Sequence, residues 1–144
     1  MSPVTALQRA LSAEHAALHV YGTLGARTSA TATPGLLAAI TAGYAAHRAR
    51  RDQLTARVRD RGVEPVPAQP AYELPFPLDT AEQVRRAALD VERSCTATYA
   101  WVVGQTSGAD RLLAITTLTS TAVRELTFRG SPEIFPGVGG HADR

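Results

Sequence analysis

Lysine is missing from this chain altogether, and cysteine occurs once, at Cys95. A single thiol excludes an intrachain disulfide, a zinc ribbon and a CxxC redox pair. Aromatic residues make up only 6% of the 144, while plentiful alanine suits closely packed helices better than a sheet. No uninterrupted apolar run approaches the length of a membrane span, and the opening "MSPVTALQRA" has no basic-then-apolar leader. These absences predict a soluble, cytoplasmic protein. A dominant charge is lacking too: fifteen arginines are interspersed with thirteen acidic residues, for a net charge of +2. That balance gives no strong field for a polyanion. A nucleophile elbow, a P-loop and a Rossmann glycine pattern are also absent. Gly137, Gly139 and Gly140 lie in a loose tail with no strand before them, so they form no phosphate loop.

What is present is ordinary for a globular domain: 44% hydrophobic and 19% charged residues, in a length that predicts one domain over residues 1 to 144. Four helical segments stand out. The first runs from about 3 to 27, with Pro3 in its opening turn and an apolar stripe at Leu7, Leu11, Leu18 and Tyr21. The second runs from about 34 to 61, with Thr33 as its N-cap, Pro34 opening it and Gly62 stopping it. The third, capped by Asp79 or Thr80, runs to about 105, with Val84, Ala88, Val91, Cys95, Thr98 and Val102 as its apolar side. The fourth spans about 109 to 129, burying Leu112, Ile115, Thr119, Ala122 and Leu126, and Gly130 ends it. An irregular tail covers about 131 to 144, with Ile134 and Phe135 tucked against the bundle.

Between the second and third segments lies "VEPVPAQPAYELPFPLDT", whose five prolines exclude helix and central strand. Extended, it can span roughly 55 Å at about 3.3 Å per residue. A helix of about 27 residues is about 40 Å long. The segment can therefore cross the length of a bundle. Short, long and short connections predict an all-α, four-helix bundle with one long Pro-rich crossover between helices 2 and 3, the ferritin-like arrangement.

Polar residues interrupt the apolar stripes at one height. Glu14 sits in the first stripe, seventeen residues before a turn near 31, and His47 lies sixteen after it. An antiparallel hairpin makes those two level. The second stripe reads Leu37, Ile40, Tyr44, His47, Arg51 and Leu54. Glu92 flanks the third stripe fifteen residues before a turn near 107, and Glu125 lies close to the matching height on the fourth. A lone buried carboxylate costs several kcal/mol unless compensated. The compensation is either a metal such as iron or manganese, or pairing of Glu14 and Glu92 with Arg48, Arg51, Tyr44 and His47.

"LQRALSAEHAALHVYGTLGAR", "HRARRDQL", "PAYELPFP" and the closing "FRG...FPG" resemble an uncharacterised actinobacterial ferritin-like family, the DUF4439 domain. The resemblance covers nearly the whole chain and implies a ferritin-like bundle without an established activity. Ferritin-like di-iron sites use one Glu on each of two helices and Glu-x-x-His on each of the others. Glu14 and Glu92 match the single carboxylates. The other motifs read Tyr44-x-x-His47 and Glu125-x-x-Phe128, so each has lost one ligand. Arg51, one turn from His47, adds a fixed positive charge.

The favoured expectation is therefore a non-enzymatic bundle with a degenerate, metal-free centre, in which Glu14, Tyr44, His47, Arg51 and Glu92 form a buried network, with homo-oligomerisation open. The alternative is an iron- or manganese-binding oxidoreductase or storage module using Glu14, His47, Glu92 and Glu125. A third is a small organic ligand in the bundle interior, lined by Tyr21, Tyr44 and Tyr99. His15 and His19, spaced i, i+4, read as surface residues rather than a metal pair. Six arginines lie between positions 48 and 61, of which Arg50, Arg57 and Arg61 share one face. With Asp52 and Asp60 among them they read as a solvated face with intrahelical pairs, not a nucleic-acid surface. Cys95 reads as a small buried hydrophobe.

Overall fold

The computed structural model describes residues 2–74 and 76–129. Four helices form: α1 (Pro3–Ala26), α2 (Pro34–Arg59), α3 (Ala81–Gln105) and α4 (Gly108–Arg129). Their ends follow local chemistry. Ser2 caps α1 through its hydroxyl, and Pro3 occupies the first turn. Thr80 rather than Asp79 caps α3, in a reciprocal capping box with Gln83. Thr33 precedes α2 but makes no side-chain cap bond; its hydroxyl donates to the Ser29 carbonyl instead. Gly62, at φ 69, supplies the left-handed turn after α2. The expected tail from 131 to 144, with Ile134, Phe135 and its glycines, and the expected stop at Gly130 lie outside the described residues.

The chain direction comes from the side-chain contacts. Glu64 and Val66 bind the Gln8 amide from both sides, and the Val66 carbonyl meets the His15 ring at 3.0 Å. Further along, the Tyr72 ring lies tilted against His19, with centroids 5.3 Å apart. His15 and His19 thus hold the crossover against α1. The crossover carries the chain from the end of α2 to the opposite end of the bundle, where Leu78 packs with Leu24, Leu36 and Val84. Helix α3 therefore runs parallel to α2 and antiparallel to α1, and α4 returns beside α3. No helix among the described residues is long and apolar enough to cross a membrane.

Two apolar clusters fill the ends. One gathers Leu7, Leu11, Leu54, Val58, Tyr99 and Val102. The other gathers Tyr21, Leu24, Ile40, Leu78, Val84 and Phe128. Between them lies a polar layer.

Two stripes face differently from the expectation. Helix α2 buries Leu36, Ile40, Gly43, His47, Arg50, Leu54 and Val58, so the face is turned by one residue at alternate positions. Tyr44 is 40% exposed. Helix α4 buries Asp110, Ala114, Thr117, Thr121, Glu125 and Phe128, while Leu112, Ile115 and Leu126 are exposed, as is Thr119. Its inward face is the more polar one because it meets the polar layer and the arginines of α2. Apolarity alone points the wrong way there.

Candidate functional site

Glu14 from α1, His47 from α2 and Glu92 from α3 meet at mid-height, all with 0% exposure. His47 Nδ1 lies 2.6 Å from Glu14 Oε2, and Nε2 lies 3.1 Å from Glu92 Oε1. Each ring nitrogen thus faces a carboxyl oxygen, a placement that suits an imidazolium donating in both directions. Two tyrosines complete the arrangement reciprocally. Tyr21 of α1 donates to Glu92 at 2.5 Å, and Tyr99 of α3 donates to Glu14 at 2.6 Å. The result is one unbroken chain of hydrogen bonds: Tyr99, Glu14, His47, Glu92, Tyr21.

Packing makes room for it. A Cβ at position 43 would overlap the hydroxyl-bearing edge of the Tyr21 ring. Glycine in mid-helix costs about 0.5–1 kcal/mol relative to alanine, and here it lets the Tyr21 ring pass across α2 to reach Glu92.

The titration behaviour follows from burial opposed by partners. Burial alone would lower the pKa of His47, but the bonds and attraction of Glu14 and Glu92 outweigh it and raise it above the ordinary 6.5. Burial opposes ionised Glu92, yet His47, Arg124 and the Tyr21 hydroxyl bring its pKa below the ordinary 4.5. Burial first, then the neighbouring carboxylates, push the Tyr21 and Tyr99 hydroxyls upward, so both remain donors. Burial also lifts the Cys95 thiol well above 9.0, which leaves a protonated, apolar-like side chain.

Arg51 takes no part. It turns outward and pairs with neighbouring Asp52 at 2.7 Å. The guanidinium beside the cluster is Arg124 of α4, with Nη1 3.7 Å from Glu92 Oε2. Glu92 thus faces two cations, His47 and Arg124. On α2 the buried arginine is Arg50, which donates to Ser120 of α4 at 2.7 Å. Arg57 and Arg61 share Asp110 of α4. The arginine face expected to be solvated is an interhelical seam, because α4 presents acceptors to it.

An ion at the centre would need a free donor set. Among the described residues, no group of three or more His, Cys, Asp or Glu side chains is placed to hold one. Glu125 is buried on α4, but both His47 nitrogens are already engaged and each glutamate also accepts from a tyrosine. A metal there would take the place of the His47 proton and of one of its carboxyl contacts. Of the three tyrosines expected to line an interior space, Tyr21 and Tyr99 direct their hydroxyls at the glutamates, and Tyr44 is on the surface.

The donor roles of Tyr21 and Tyr99 had a sequence signal. Glu92, Tyr99 and Glu125 stand 78 positions after Glu14, Tyr21 and His47. The same shift carries buried Ala10, Ala17 and Leu24 onto buried Ala88, Cys95 and Val102. The two helical hairpins thus repeat one pattern, with Glu125 at the position that corresponds to His47.

Residues 6–140 match the family described as Domain of unknown function (DUF4439). Among solved structures, the chain is similar to a conserved hypothetical protein from Mycobacterium tuberculosis, with a TM-score of 0.81 and 30% sequence identity over 89% of this chain and 95% of that chain. No curated protein matches the chain at a significant level.

Proposed function

The chain belongs to the DUF4439 family, and from that premise we propose a ferritin-like bundle whose centre is closed by an imidazolium between two carboxylates instead of by metal. The crossover that makes α2 and α3 parallel supports the ferritin-like assignment, as do Glu14 and Glu92 at the single-carboxylate positions. The observation that carries the metal-free centre is the engagement of both His47 nitrogens, by Glu14 and by Glu92.

The role that follows is non-enzymatic. A general acid or base must reach a substrate, and Glu14, His47 and Glu92 are fully buried and mutually saturated. Their job is to fix helix register. A one-turn slip of α2 would leave two carboxylates unpaired between apolar clusters, at a cost of several kcal/mol. The bundle then acts as a structural or interaction module. The outward apolar face of α4, with Leu112, Ile115, Val123 and Leu126 exposed, supports self-association.

Elemental analysis of protein purified without chelator tests this function, together with thermal melting in Fe(II) or Mn(II). The expected result is substoichiometric metal and an unmoved melting temperature, since a native-state ligand would raise it. Stoichiometric iron, manganese or zinc, lost in Glu14→Ala, would instead establish a metal-binding oxidoreductase or storage module on Glu14, His47, Glu92 and Glu125.

A further inference from the structure

The outward face of α4 carries no charge over about four turns. Leu112, Ile115, Thr119, Ala122 and Leu126 recur there at alternate spacings of three and four, the period that keeps one seam along a helix. Thr116 and Val123 flank the seam. All of these but Ala122 are exposed, Leu112 by 65% and Val123 by 61%. The outward faces of the neighbouring helices are charged instead, with exposed Arg48 and Asp52 on α2 and exposed Asp90 and Arg93 on α3.

We infer that this face docks on the same face of a second copy of the chain, with the two α4 helices antiparallel and Thr119 on the twofold axis. The inference rests on the self-association read above from the outward face of α4, and adds the partner and the geometry. A contact between identical faces requires a patch that matches itself when reversed. This stripe does. Seven residues to either side of Thr119 stand leucines, Leu112 and Leu126. Four to either side stand the β-branched Ile115 and Val123, and three to either side the small Thr116 and Ala122. Reversal therefore sets Leu112 against the partner's Leu126 and Ile115 against the partner's Val123. Antiparallel helices also oppose their macrodipoles, whereas a parallel pair would place like partial charges together at each end.

Covering the middle of the stripe strands no polar group. The Thr119 hydroxyl already donates to the Ile115 carbonyl at 3.0 Å, so it needs no water. Arg111, at one end, bends back to the Val103 and Thr106 carbonyls and leaves the seam clear. Two faces about 21 Å long cover on the order of 1,000 Å² together, the low end of specific interfaces. The pair is therefore a reversible one, and each copy keeps both of its apolar clusters without it.

Sedimentation velocity of the full chain across about 1 to 500 μM tests the pairing, with a monomer–dimer Kd of about 1 to 100 μM expected. Leu112→Glu is expected to weaken association about tenfold or more. It should leave the melting temperature of the dilute chain unchanged, because Leu112 is exposed in the single copy. Adding Leu126→Arg to that variant is expected to bring association back to within about threefold of the native chain. Antiparallel packing sets position 112 of each copy against position 126 of the other, whereas a parallel pair would stack like charges and weaken further. A chain still monomeric at the highest concentration overturns self-association altogether. A dimer that Leu112→Glu leaves intact, or that the double variant fails to recover, overturns this face and direction while self-association stands. Neither result bears on the metal-free centre, which elemental analysis reads separately.

Discussion

Tyr21 and Tyr99 exchange partners across the bundle: each donates its hydroxyl to the glutamate on the other's helix. Because α1 and α3 run antiparallel, one spacing of seven between carboxylate and tyrosine serves both helices. The imidazolium of His47 joins the two halves.

Removing that link is expected to be severe. His47→Ala leaves Glu14 and Glu92 buried without their shared cation, and breaking a buried pair costs about 3–5 kcal/mol. Chemical denaturation would show it as a lowered midpoint. A loss below 1 kcal/mol would mean that the centre is not held by this pair.

Stability is expected to depend on pH from both sides. The raised pKa of His47 contributes stability that is full below its unfolded value of 6.5 and lost as pH climbs through the higher folded value. The lowered pKa of Glu92 contributes stability that is full above 4.5 and lost as pH falls through its folded value. Melting temperature should therefore be greatest between about 4.5 and 6.5 as far as these two groups decide it. In His47→Gln, the decline on the alkaline side should flatten; an unchanged profile would assign the decline to other groups.

Gly43→Ala is expected to destabilise despite the better helix propensity of alanine. The added methyl meets the Tyr21 ring, and overpacking costs about 1–3 kcal/mol. Gly104→Ala on α3, where a Cβ meets nothing within 4 Å, should leave stability unchanged or raised. The pair compared in one denaturation series separates close approach from propensity.

Neighbouring residues on α2 should behave oppositely. Arg51→Ala removes a surface pair with Asp52 and should change stability by no more than about 0.5 kcal/mol. Arg50→Ala removes the buried arm that reaches Ser120 and opens the α2–α4 seam, so its loss should be clearly larger. Leu112→Gln, on the outward face of α4, belongs with Arg51→Ala. Equal effects at positions 50 and 51 would contradict the observed helix phase.

Helix positions and the crossover were legible because proline, glycine and capping residues act locally. Glu14, His47 and Glu92 were legible because counting from the turns sets their height. Helix phase was not. On α2, apolarity favours Tyr44 over Gly43, yet the glycine faces inward because Tyr21 needs its space. On α4, leucines and isoleucine suggest a core face, while Thr117, Thr121 and Glu125 occupy it. Which arginine turns inward depends on acceptors supplied by another helix, Ser120 and Asp110, and no local pattern carries that.

The central claim is that His47 holds a proton on both nitrogens and has no lone pair for a metal. A nitrogen-15 NMR spectrum of the imidazole side chain at pH 6, recorded before and after Mn(II) is added, measures this directly. Two protonated ring nitrogens, unaffected by the added ion, are expected. One unprotonated nitrogen, or a His47 signal broadened by manganese in the native chain but not in Glu14→Ala, would contradict it.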